Sequence, residues 1–414
     1  MIIRYHTLCP GCEAKIRLRL SVGIDDYQPF YYVCDKCGAA NRGALEIDYR
    51  KDPPRRKLTL DGQDHTESTV DFDTPDQTIT IGLDLPCFLV GTESAATQFP
   101  FLHQSVLMGG NEQILQFQHS IGTFRDLIES DWPRFKRLIT YYVNRNWKQF
   151  DTQWGNIFEE AAPLPRNEFE RHDFFHRALE MFFASLEPEF DFPVIKEEFN
   201  NFVTKVSQGK LENLKGFSRY LTESKELAQH QRSLLERLSF VVDNFSAISP
   251  GFPVLFYNTD GKKDLSKLRI MRDDFEILKA HYLSCFEICH KTLHIIVGLL
   301  NIDARGNPDS FDGGKPSSLR QFDKLPNAQK VTFIDQTLFP ETYSRWNSYF
   351  DRKLRNSIGH NSVYHDLKTG TLILDDEPPI PYSEFVAGTL RLVPMLLYCI
   401  QVTKMMYIIR HLLK

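Results

Sequence analysis

Four cysteines in the first 40 residues, Cys9-Pro10-Gly11-Cys12 and Cys34-Asp35-Lys36-Cys37, constrain this chain more than any other feature. Each Cys-x-x-Cys turn offers two sulfurs to one tetrahedral ion. The apparent binding energy, on the order of 10 kcal/mol, can fold a module too small to have a core of its own. Between the pairs, Lys15-Ile16-Arg17-Leu18-Arg19-Leu20 alternates polar and apolar as a half-buried strand, and Phe30-Tyr31-Tyr32-Val33 leads into the second turn as another. The spacing predicts one structural Zn2+ per chain, held by Cys9, Cys12, Cys34 and Cys37 in a small β module over 1–50. A redox dithiol is the chief rival, and a catalytic zinc would need an open ligand position that four thiolates close.

At 414 residues the chain has length for about two to four domains. Apolar residues at 42%, with 32 Phe and 16 Tyr, supply core material and exclude wholesale disorder. A formal net charge of −5 gives no global attraction to nucleic acid or to an anionic membrane, so any phosphate site must be a local basic patch. The start, Met1 to Cys12, has neither an apolar run of signal-peptide length nor a small-residue cleavage site, and a cytoplasmic location is expected. The longest strongly apolar stretch, Leu392 to Ile400, falls short of the roughly 20 residues of a membrane span and reads as a buried helix, with no membrane partner.

The expected fold class is multidomain and mainly α. Residues 51–108 read as a linker with short strands: a basic, Pro-containing opening (Asp52-Pro53-Pro54-Arg55-Arg56-Lys57), an acid-rich run, then an alternating strand from Thr78 that Pro86 ends. Residues 109–250 show helical, aromatic-rich periodicity broken by Pro163, Pro165 and Pro193, which predicts a helical middle domain. Ile248 to Pro253 and the turn-prone Asn258-Thr259-Asp260-Gly261 mark a boundary. Residues 262–414 predict a second helical unit: a long helix over Asp274 to Ile302, a Gly/Pro/Asp loop, a helix from Glu341 to Ile358, a hairpin across Lys368-Thr369-Gly370, and a final helix capped by Ser383.

Within the Glu341 to Ile358 segment, Trp346, Phe350, Leu354 and Ile358 form a stripe spaced four apart. At about 100° per residue, Arg355 lies about 100° to one side of Leu354, His360 about 120° to the other, and Arg352 and Asn356 almost opposite. These four polar side chains avoid the core stripe. A guanidinium suits a phosphate, an imidazole suits proton transfer near neutral pH, and an amide can orient either.

Arg355-Asn356-Ser357-Ile358-Gly359-His360 resembles the RN-x-x-x-H signature of HEPN domains, and the cysteine module resembles a zinc ribbon. The HEPN resemblance covers about 150 residues, including the long upstream helix, the hairpin and the closing helix. It implies a C-terminal HEPN helical bundle, a homodimer with the two motif helices facing each other, and a metal-independent endoribonuclease acting on RNA. The implied roles are Arg355, Asn356 and His360 in catalysis and Arg352 in substrate binding, with no metal in the catalytic step. A toxin-like effector in anti-phage defence, with a phage or regulatory partner sensed by the ribbon or middle domain, comes from the same resemblance. The alternative is a non-catalytic nucleic-acid-binding or regulatory adaptor that dimerises through an inactive HEPN domain. Glu287 lies on the upstream helix, where some HEPN domains carry an assisting acid; no motif ties the two.

The expression R-x4-H also matches Arg171 to His176, mid-helix and with no hairpin following, which reads as a solvated or packed helix face. A tandem second HEPN unit and an i, i+4 metal pair of His172 and His176 are its rivals. Cys285, Cys289, His290 and His294 could be metal ligands on one helix, but their apolar setting favours buried core thiols, and Cys87 and Cys399 also read as core. Gly314-Lys315-Pro316 is no P-loop, and Arg305 spoils a calcium loop beginning at Asp303.

Overall fold

Strand β1 (Ile2–Leu8) pairs antiparallel with β2 (Lys15–Ser21), whose Ile16, Leu18 and Leu20 are fully buried, as their alternation requires. The computed structural model describes residues 2–411 apart from 24, 49, 52–53, 66–72, 84–85, 89–110, 159–161, 187–191, 258–263 and 376. The Asn258 to Gly261 turn and most of 84–108 therefore lie outside the described residues. A second sheet runs β3 (Tyr27–Val33), β4 (Ala40–Asp48), β5 (Arg55–Leu60) and β6 (Gln63–His65), all antiparallel. β7 (Gln77–Gly82) is the strand expected from Thr78, and its partner is β2, in parallel.

Within the segment read as a linker with short strands, 51–108, strands begin earlier than the expected Thr78, over 55–65. Behind the basic and proline residues lies an alternation that buries Leu58 and Leu60. Asp61 and Gly62 both take positive φ (47° and 81°), the turn conformation that suits a two-residue hairpin, and β6 follows. Gly43 of β4 is required by close approach, since a Cβ there would lie 2.5 Å from the Phe30 ring.

The described residues group into two units that interleave along the chain. One gathers residues from 1–115, 244–280 and 356–390, the other from 116–243, 281–355 and 391–414. All strands among the described residues belong to the first unit, including the short pair β8 (Cys87–Phe88) and β9 (Leu268–Arg269) and the sheet β10 (Val363–Asp366), β11 (Thr371–Leu374) and β12 (Glu377–Pro381).

The hairpin expected over Ser362 to Leu374 is present, with β12 as a third strand. It joins the N-terminal strands through His365. That ring stacks on Tyr382 (3.8 Å between centroids), meets Tyr31 edge-on and donates to Asp273 Oδ1 at 3.3 Å, while Arg42 donates to Asp273 Oδ2 at 2.8 Å. Met271 accepts from the Tyr31 N–H at 2.8 Å. The first unit's core is thus Leu18, Phe30, Tyr31, Leu45, Leu58 and their neighbours with Met271.

These bonds, His365 foremost, hold the Asp273 carboxyl below the usual carboxylate range. A lowered acid stabilises the fold above its unfolded-state value, about 3.9, and that contribution is lost as pH falls through the lower folded value. Asp273→Asn should therefore unfold more easily than the native chain at pH 7, and the gap should close below about pH 4. Denaturant melts of the full chain across that range check this.

The second unit is helical. Trp132–Val143, Trp147–Phe158, Glu168–Phe183 and Glu226–Asp243 surround an aromatic core in which Phe135 stacks on Phe182 at 5.4 Å and Tyr142 on Phe175 at 3.9 Å. Phe192–Glu223 is broken at Lys210, whose backbone is non-helical. The two longest apolar helices, Phe275–Arg305 and Tyr382–His411, contribute residues to both units.

Both helices are long and apolar enough to cross a membrane. The apolar run Leu392 to Ile400 understates this, because scattered polar residues still leave an 18-residue window at mean hydropathy 1.4 and 1.6. Within the protein 67% and 89% of those windows are buried. Ser383 lies inside the last helix and donates to Leu265 O at 3.2 Å rather than capping.

The helix expected from Glu341 to Ile358 is two, Pro340–Tyr349 and Arg352–Gly359. Phe350 leaves helical geometry (ψ 77°), and Asp351 Oδ1 accepts from the N–H groups of Lys353 (2.7 Å) and Leu354 (3.2 Å), so this aspartate starts a new helix. The stripe survives the break: Trp346, Phe350, Leu354 and Ile358 are all buried.

Candidate functional site

Cys9 and Cys34 open equivalent turns. In each, the cysteine N–H donates to the carbonyl five residues on (Ala14 and Ala39, both 2.9 Å). Its carbonyl accepts from the N–H four residues on, Glu13 at 2.8 Å and Gly38 at 2.7 Å. Glu13 and Gly38 share a positive φ, so the two loops are built alike and their sulfurs converge.

Cys9 Sγ lies 3.6 Å from Cys37 Sγ, Cys12 Sγ lies 3.7 Å from Cys34 Sγ, and all four fall within 4.8 Å of one another. A tetrahedral ion with arms of about 2.3 Å sets its sulfurs about 3.8 Å apart, so the spacing suits a metal. Gln77, at the start of β7, donates to Cys34 Sγ at 3.2 Å and accepts from the Asp35 N–H at 2.8 Å. Burial alone would raise the Cys34 thiol, but the N–H of Cys37, the Gln77 amide and the N–H of Lys36 outweigh it and bring it down to about 6. No sequence signal marked Gln77, which stands 43 positions from the thiol it serves.

The motif helix Arg352–Gly359 ends where His360 N–H donates to Asn356 O (2.9 Å) and Asn361 turns left-handed (φ 55°). Ser362 N–H then returns to Ser357 O at 2.9 Å, a helix stop of Schellman type. Leu354, Ser357 and Ile358 are buried, Arg355 and Asn356 half-buried, Arg352 and His360 exposed. Arg352 and His360, near the two ends of the helix, are the solvent-exposed pair of these four. Arg352 and Arg355 fall in the second unit, Asn356 and His360 in the first.

Arg355 donates Nε (2.9 Å) and Nη2 (2.5 Å) to Glu287 Oε1, and its guanidinium lies 5.9 Å from the Phe286 ring. Glu287 also accepts from Asn327 Nδ2 at 3.3 Å. The acid on the upstream helix thus fixes the plane of the arginine.

The second R-x4-H match is differently placed. Arg171 is gripped by both oxygens of Asp151, at 2.8 and 2.6 Å. His176 is buried beneath Tyr142 and Gln231, and burial holds its imidazole well below the ordinary range. Neither side chain of that pair presents itself as an accessible catalytic group. Cys285 and Cys289 are fully buried, and burial pushes the Cys285 thiol up to about 12, as suits core thiols. No family model, curated protein or solved structure matches the chain.

Proposed function

We propose that this protein is a metal-independent endoribonuclease of HEPN type, carrying a ribbon with one structural Zn2+ on Cys9, Cys12, Cys34 and Cys37. The observation that carries the reading is the motif helix itself: an arginine oriented by Glu287, and an exposed histidine at the helix end one and a half turns on. In this mechanism the RNA 2′-hydroxyl gives its proton to one imidazole and attacks the adjacent phosphorus. The 5′-oxygen leaves with a proton from an imidazolium, and a 2′,3′-cyclic phosphate and a 5′-hydroxyl remain. A two-fold dimer, motif helix to motif helix, supplies two copies of His360 for these two transfers and brings two copies of Arg352, beside the Glu287-held Arg355, to the local phosphate site that a net charge of −5 does not otherwise offer. Asn356 orients substrate beside them. In this reading the protein is a cytoplasmic, toxin-like effector in anti-phage defence, its two long apolar helices serving as core rather than membrane spans.

End-group analysis of RNA from cells expressing the native chain tests the reaction: cyclic-phosphate ends at defined sites are expected, and their absence counts against it. The Arg355 to Glu287 pair also favours a second reading, an adaptor in which the arginine is structural. Cleavage by the native chain separates the two, and Glu287→Ala then tests whether the arginine must be oriented for it. Both side chains are a third or more exposed (35% and 43%), so stability should change by less than about 1 kcal/mol. Cleavage by an enzyme that needs an oriented guanidinium should fall at least about tenfold. Unchanged cleavage would remove Glu287 from the mechanism.

A further inference from the structure

A second group of metal-ligating side chains stands apart from the ribbon and the motif helix, within the helical unit. Glu168 and His172 lie one turn apart on Glu168–Phe183, and His411 closes the last helix; one ligand atom from each falls within 4.8 Å of the others. His172 is 2% exposed, and its Nε2 is fully buried with no hydrogen-bond partner. That nitrogen is aimed at Glu168 Oε1, 3.8 Å away, too far for a hydrogen bond. The cost of burying an unpaired ring nitrogen, about 1–3 kcal/mol, is what a bound ion would remove.

We propose that Glu168, His172 and His411 bind a divalent transition metal ion of the Zn2+ class, with a water in the fourth position. Two histidines and one carboxylate are a donor set that suits such an ion and leaves one site open. Arms of about 2.0–2.2 Å would place the ligand atoms roughly 3.4 Å apart, so the side chains need close by about 0.4 Å for His172 and Glu168 and by no more than about 1.4 Å for any pair.

The surroundings are those of a held ligand. Tyr142 Oη sits 2.6 Å from His172 Nδ1, and the Tyr407 ring stacks on the imidazole at 4.3 Å, so the ring is fixed from its far nitrogen and from its face. With Nδ1–H donating to Tyr142, Nε2 presents its lone pair to the cluster. Arg145 is the competing cation, its Nη1 3.5 Å from Glu168 Oε1; its side chain is 40% exposed and can withdraw to water.

The pairing differs from the His172 and His176 couple suggested by spacing alone. The structure turns His176 to Tyr142 and Gln231 and gives His172 to the Glu168 and His411 group instead.

Titration of the chelator-stripped full chain with Co2+ tests the proposal, because thiolate charge-transfer absorption reports the ribbon and is absent from a nitrogen and oxygen site. The native chain should take a second equivalent without that absorption. His411→Ala, half-exposed at a helix end, and Glu168→Gln should each weaken the second equivalent by at least about 100-fold, while the first stays. Tyr142→Phe should weaken it about 10–100-fold. A chain that takes only the thiolate equivalent, or a second equivalent that both variants retain at native affinity, would overturn the site. Metal stoichiometry reads this result without reference to RNA cleavage, so it stands or falls separately from the nuclease reading.

Discussion

His360→Ala is expected to abolish RNA cleavage, lowering the rate by about 10²–10⁴, the range for removing a positioned acid-base group. The fold should be intact, because His360 is exposed and its N–H to Asn356 bond is made by the backbone. Arg355→Lys is the sharper variant. Lysine keeps the charge but loses the planar fork that can hold two phosphate oxygens, so activity should fall by a comparable factor while dimerisation persists. Cleavage should continue in excess EDTA so long as the ribbon's metal is shown to remain, since the motif contains no carboxylate cluster to hold Mg2+. DNA, and RNA carrying a 2′-O-methyl group at the cut position, should resist because the attacking hydroxyl is missing. Cutting of either, or an absolute need for added Mg2+, would reassign Arg355 and His360 to binding.

Local signals were legible in the sequence where one segment's own pattern decides its structure. The alternation of Lys15 to Leu20 gives β2, and the stripe Trp346, Phe350, Leu354 and Ile358 is buried as its spacing predicts, even across a helix break. Two local signals were outweighed by composition. Arg55 to Leu60 looks like a linker because of its charge and flanking prolines, yet Leu58, Leu60 and the Asp61-Gly62 turn specify a hairpin. Asp351 falls inside the single helix that the apolar stripe predicts, yet aspartate's preference for an N-cap is the readable cause of the break.

What the sequence did not reveal depends on pairings distant along the chain. β2 and β7 are parallel neighbours some 60 positions apart, Gln77 reaches Cys34 across 43, and Glu287 reaches Arg355 across 68. No periodicity encodes such meetings; they follow from which faces must be buried together. The proposed site residues, Arg355 and His360, were marked in the sequence by type and spacing. The group that orients the arginine was readable only as an acid on the right helix. β12 was missed for a related reason: Glu377-Pro378-Pro379-Ile380-Pro381 reads as a break, and prolines are tolerated there because it lies at the edge of its sheet.

Removing the zinc proposed for Cys9, Cys12, Cys34 and Cys37 should have the largest effect on stability. Purified chain is expected to carry one zinc in the ribbon, and exhaustive chelation or Cys34→Ser should destabilise the N-terminal strands by several kcal/mol, out of about 10–16 kcal/mol that such sites supply to modules with little core. The loss should be partial rather than complete unfolding of that unit, because Leu18, Phe30, Leu45 and Leu58 give it a hydrophobic core that a bare ribbon lacks. Amide exchange should accordingly rise first in the two cysteine turns and in β1 to β4, while helices such as Glu226–Asp243 stay protected. Gln77→Ala should lower zinc affinity about 10–100-fold without removing a ligand, since it withdraws the donor to Cys34 and the acceptor for Asp35. Acid should release the ion, because thiolates must be protonated as pH falls. Less than half a zinc per chain, with all four thiols freely alkylated in the native state, would show that the sulfurs converge without holding a metal. The core around Leu18 and Phe30 would then have to account for the ribbon's order alone.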